Sequence, residues 1–175
     1  MSTFKSNPKI TFNAKTLAIT GITAALYMAA TLMIAPLGFN AVQFRLSEVM
    51  VLLCYIDPIY APGLILGCAL ANCFSPLGII DVVIGTAATA FAVFMILRTK
   101  NLLAATLWPT VSGFIIALGL TAVYHTPYWI NALSVMAGEF VVVTCIGYPV
   151  FKAILKNHKL VGMLRQSENK NYAGY

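Results

Sequence analysis

Long stretches without a single charged side chain alternate with short charged connections. Residues 16–44, 58–80, 82–97 and 101–138 contain no Lys, Arg, Asp or Glu. About 20 apolar residues, rising ~1.5 Å each, cross the ~30 Å hydrocarbon core of a bilayer. The pattern therefore predicts spanning helices over residues 16–36, 77–97, 102–123 and 128–151. Between the first two lie shorter apolar segments, 46–56 and 59–74, separated by a turn in "DPIYAP" that Pro58 and Pro62 punctuate.

Composition agrees with that pattern. Of 175 residues 60% are hydrophobic and 9% charged, and the mean hydropathy is +0.86, far outside the soluble range. The expected fold class is an all-α integral membrane protein forming a single membrane domain over 1–175. Its parts are a cytoplasmic segment at 1–14, a helical bundle at 15–155 and a basic cytoplasmic tail at 156–175. The first apolar segment is too long for a signal-peptide core and lacks a small-residue cleavage site.

Charge placement sets the orientation. Lys5, Lys9 and Lys15 precede the first span, Arg98 and Lys100 share one connection, and Lys152, Lys156, Lys159, Arg165 and Lys170 follow the last span. Put on one side, these make the cytoplasmic face that the positive-inside bias favours. An even number of crossings must then separate the N-terminus from the Arg98/Lys100 connection. Two crossings by the short pair give six transmembrane helices with both termini cytoplasmic; a re-entrant hairpin is the alternative. Asp57 then faces the cytoplasm. The outer connections are 37–45, 75–76 and 124–127, and the first, long and bounded by Pro36 and Gly38, is a candidate lid. A pI near 9.3 does not point to nucleic acid, because no basic stripe is interleaved with aromatics.

Several chemistries lack their residues. Cys54, Cys68, Cys73 and Cys145 form no CxxC pair, and His125 and His158 lie far from them, so no metal site is expected. There is no G-x-x-x-x-G-K-[ST], H-E-x-x-H or G-x-S-x-G. Neither a catalytic residue nor a cofactor is expected in this chain.

Glu48, Asp81 and Glu139 are the informative exceptions, because they fall within or beside apolar helices. Each ionised side chain at a helix centre costs ~2.5–3.5 kcal/mol, so they need partners, water or protonation. Glu48 has an ordinary explanation in an i,i+3 pair with Arg45, the one basic side chain outside the cytoplasmic clusters. Asp81 has one in the preference of acids for a helix N-terminus; Glu139 has none nearby. Together the three acids suit an outward-facing pocket for a ligand rich in N–H donors or positively charged. The amides of Gln43, Asn72 and Asn131 and the rings of Tyr128 and Trp129 suit a flat polar ring, although aromatics there equally fit an interfacial belt. On the first helix, Gly21, Ala25 and Ala29 recur every four residues, with Ala14 and Ala18 extending the stripe. Such a stripe lets a helix approach closely, from the same chain or from a partner.

The stretches "APLGFNAVQFRLSEVMVLL", "PGLILGCALANCFSPLGIIDVVIGTAAT" and "PYWINALSVMAGEFVV" carry a resemblance over residues 14–155. The chain resembles the QueT family of queuosine-precursor transporters, S components of energy-coupling-factor (ECF) transporters. The resemblance implies a six-helix S-component fold with a pocket near the outer face, capped by the loop between helices 1 and 2. It implies a transmembrane scaffold subunit docking on the A-x-x-x-A face of helix 1, here Ala25 to Ala29, and two ATPase subunits that use the ATP. The implied substrate is a 7-deazaguanine such as preQ1, with preQ0 or queuine as variants. On this reading Glu139 takes the guanine edge, Asp81 or Glu48 faces the aminomethyl ammonium, and Arg45 and Gln43 hold the lid or the ring carbonyl. The roles of Glu139 and Asp81 are interchangeable at this level. The rival readings are an assembly subunit that binds no ligand, an S component for another vitamin-like solute, and an ion or proton pathway through the intramembrane acids.

Overall fold

The computed structural model describes residues 13–34 and 44–166, among which every regular element is helical. Asn13 caps the first helix, α1 (Ala14–Met33), its side chain accepting from the Thr16 N–H at 2.8 Å. Next, α2 (Leu46–Ile56) opens as a 3-10 helix over Leu46–Leu52 and closes as an α turn over Leu53–Ile56. A short turn at Asp57 leads into α3 (Pro58–Asn72). Gly78, at φ +62°, reverses the chain into α4 (Ile79–Arg98). Asn101 caps α5 (Leu102–Tyr124), which ends where His125 turns left-handed at φ +53°. α6 (Tyr128–Lys156) follows, and a capped turn at Asn157 starts the short α7 (His158–Leu164).

Four of these, α1, α4, α5 and α6, are long and apolar enough to cross a membrane, while α2 and α3 are shorter apolar helices. The sequence pattern anticipates all six within a few residues. A 3-10 turn rises ~2.0 Å per residue against ~1.5 Å, so α2 reaches deeper than its residue number suggests. The segment expected as a plain basic tail instead begins with α7.

The small-residue stripe of α1, open from the sequence to a neighbour in the chain or to a partner, is turned outward among the described residues: Ala14, Ala18, Gly21, Ala25 and Ala29 are all exposed, and a Cβ on Gly21 would meet nothing within 4 Å. The inward face is Thr16, Thr23, Ala24, Tyr27 and Thr31. That face is approached by Gly63 and Gly67 of α3, a small-x-x-x-small pair that sequence reading passed over. A Cβ on Gly67 would lie 2.8 Å from the Ala24 carbonyl oxygen and 2.8 Å from Tyr27 Cβ. Gly67→Ala is therefore expected to force α1 and α3 apart at a cost of about 1–3 kcal/mol. The check is the thermal midpoint in detergent, and an unchanged midpoint would contradict the close packing.

Asp57 corrects an expectation: the turn residue read as open to water is fully buried, its Oδ1 accepting from the Ile59 N–H at 3.0 Å and its Oδ2 from the Gln166 N–H at 2.7 Å.

The main apolar core gathers Tyr55, Ile56, Ile59 and Leu64 with Val143 and Phe151 of α6. A smaller core joins Leu77, Ala88, Ile116, Leu120 and Val135.

Candidate functional site

Four elements bring polar groups together at the α2 and α4 N-termini. α4 begins just after the "SPLG" turn, placing Asp81 in its first turn with its N–H bonded to the Gly78 carbonyl at 3.1 Å. Asp81, Gly85 and Thr89 then follow at four-residue intervals, all buried on one face of α4. Arg45, at the start of α2, leaves its own helix and pairs with Asp81, its Nη2 3.0 Å from Oδ2. Both side chains are buried, 1% and 3% exposed, which makes this an ion pair withdrawn from water.

Glu48 is held from other directions. Its Oε1 accepts from the Tyr27 hydroxyl of α1 and from the Thr89 hydroxyl of α4 at 3.1 Å. Thr89 Oγ1 also lies 3.2 Å from Cys68 Sγ, to which Asn72 Nδ2 donates at 3.4 Å. The same Asn72 Nδ2 donates to the Asp81 carbonyl at 3.1 Å, while its Oδ1 is buried without a partner among the described residues. Space at this point is set by Gly85, where a Cβ would sit 2.6 Å from Asn72 Nδ2. Arg45, Glu48, Asn72 and Asp81, read from the sequence as one group, thus meet in one network.

Glu139 ends the regular part of α6 and is 2% exposed. Its carboxyl lies within electrostatic reach of Glu48 and Arg45. Its Oε2 is buried with no hydrogen-bond partner among the described residues. Directly after it, Phe140–Gly147 widens into a π-helix. Pro149, which has no N–H to give and whose ring crowds the preceding turn, follows two residues later; π-turns recur at functional sites. A buried unbonded carboxylate oxygen costs free energy that a hydrogen-bond donor or protonation recovers.

Other predicted site residues lie elsewhere. Asn131 is bonded to Thr121 near the end of α5 and to Thr126 of the α5–α6 connection. Tyr128 donates to the Phe114 carbonyl at 3.1 Å and meets Trp129 edge-on, and Trp129 is 67% exposed. Gln43 and most of the 37–45 connection lie outside the described residues. Sequence reading missed Tyr27, Thr89, Cys68 and Gly85. The spacing of Thr89 two turns beyond Asp81 would have found it, and Tyr27 is the lone tyrosine of the first span.

A family model described as QueT transporter matches residues 17–156. No curated protein and no solved structure matches the chain.

Proposed function

Because the chain belongs to the QueT transporter family, we propose that this membrane transport protein is the S component of an ECF importer, capturing a 7-deazaguanine such as preQ1 for ATP-driven uptake. Six crossings of the bacterial cell membrane, with both termini inside, put the Arg45–Asp81 end of the bundle at the outer face. The observation that carries the reading is the Oε2 of Glu139, buried without a hydrogen-bond partner among the described residues, whereas Glu48 and Asp81 have theirs.

A guanine-like edge presents an N1–H and a 2-amino group side by side, which one carboxylate accepts together. Glu139 is the acid with capacity for that edge. The unpartnered Asn72 Oδ1 supplies a second acceptor, and the excess of acids over Arg45 favours the ammonium of preQ1 over neutral preQ0. PreQ0 and queuine remain the variants of the same ring. Arg45 serves as the fixed counter-charge to Asp81 rather than as a ligand group.

The exposed Gly21, Ala25 and Ala29 of α1 fit a scaffold subunit packing on that face, with two ATPase subunits below it. Uptake tests the reading: proteoliposomes holding this chain, a scaffold and the ATPases should accumulate labelled preQ1 only with ATP inside reach of the ATPases. Accumulation, or proton flux, by this chain alone would favour the ion-pathway reading instead.

A further inference from the structure

The end of the chain that faces away from the acid cluster is cross-tied by its own C-terminal helix. α7 doubles back so that Val161, 7% exposed, joins the core beside Tyr55, Ile56, Ile59 and Tyr60. Its last turn is held by three bonds from residues distant in sequence. The Tyr60 hydroxyl donates to the Leu164 carbonyl at 2.7 Å. The Gln166 N–H donates to Asp57 Oδ2 at 2.7 Å, and Lys15 Nζ of α1 donates to the Gln166 carbonyl at 3.1 Å. Seven-residue helices near a terminus ordinarily fray unless tied down. Here a fully buried aspartate is committed to holding one.

The helix that gives the last bond is lightly packed over its first turn. There α1 buries Thr16, whereas Ala14, Lys15, Leu17 and Ala18 are exposed; close packing begins at Thr20, whose carbonyl oxygen would lie 2.7 Å from a Cβ on Gly63. The lightly packed turn carries Ala14 and Ala18 of the small-residue stripe. A face of this kind docks by close backbone approach, so its fit depends on the angle at which the helix is held.

We propose that α7 is an intramolecular clasp that fixes the cytoplasmic end of α1 against the α2–α3 turn and so presents the small-residue face to an apolar membrane partner. The proposal rests on the S-component reading. Opening the clasp frees α1 to tilt and weakens docking without touching the acid cluster at the opposite end.

Two full-length variants open it by different routes. Gln166→Pro deletes the N–H given to Asp57. The preceding Arg165, at φ −81° and ψ 103°, already has the extended backbone a proline requires before it. Tyr60→Phe deletes the hydroxyl given to Leu164. In the double variant, amide exchange over residues 14–20 should rise at least tenfold, and capture of a co-expressed scaffold subunit should fall at least fivefold. The thermal midpoint of the isolated chain should move little. Parent-level capture by a variant whose exchange has risen would overturn the clasp and leave the S-component reading standing. Unchanged exchange would overturn it too, as would loss of capture accompanied by general unfolding. A parent chain that captures no scaffold subunit would overturn the S-component reading and this proposal with it.

Discussion

A Glu139→Gln protein is expected to bind preQ1 about 100-fold more weakly than the parent, about 2.8 kcal/mol at ~1.4 kcal/mol per tenfold. Glutamine keeps one acceptor oxygen but replaces the other with an NH2 that confronts the ligand's own donors. It also deletes the charge that strengthens both bonds, and such charge-assisted bonds contribute ~1.5–3 kcal/mol. The same substitution removes a buried carboxylate whose Oε2 has no partner. The ligand-free protein should therefore be more stable, its thermal midpoint rising by about 2–4 °C for each kcal/mol recovered. Weaker binding with greater stability is the signature of a group kept for its ligand. Equal affinity for preQ1 would remove Glu139 from the guanine edge, whatever the midpoint did.

Arg45→Met acts on the other carboxylates and should cost stability first. It leaves Asp81, 3% exposed, without the guanidinium 3.0 Å away, and breaking one side of a buried ion pair costs about 3–5 kcal/mol. It also withdraws the positive charge acting on Glu139. Replacing both partners, Arg45→Met with Asp81→Leu, should recover most of that loss, because two apolar side chains leave no buried charge behind. A double-mutant cycle read by chemical or thermal unfolding checks this. If the double variant lost the sum of the two single losses, the pair would not be energetically coupled and the network built around it would fail.

The sequence told which residues were out of place more readily than which residues they meet. Arg45 stands out because every other basic side chain belongs to a cytoplasmic cluster. Its nearest acid along the chain is Glu48, yet the pair forms with Asp81, 36 residues away. That choice depends on how the "SPLG" turn and Gly78 set the start of α4, which no local pattern encodes. Glu139 was legible for a complementary reason: it had no partner nearby in sequence, and it has none bonded to Oε2 in the fold.

Helix faces were harder to read than helices. The regular Gly21, Ala25 and Ala29 stripe looks the same whether it meets a neighbour or lipid, and only the fold turns it outward. The Gly63 and Gly67 pair, with the same spacing, does the packing inside the chain. The hydrophobic pattern distinguishes neither case, because both stripes are apolar all round. Asp57 was misread for a similar reason: proximity to a turn suggested water, whereas a peptide N–H from 109 residues further on supplies its partner.

The most direct test of the account is a calorimetric titration of the purified parent chain with preQ1, set against preQ0, queuine and guanine. One saturable site per chain, with preQ1 tightest and lost in Glu139→Gln, is the predicted result. No heat with any of the four, from a protein shown to be folded, would contradict it.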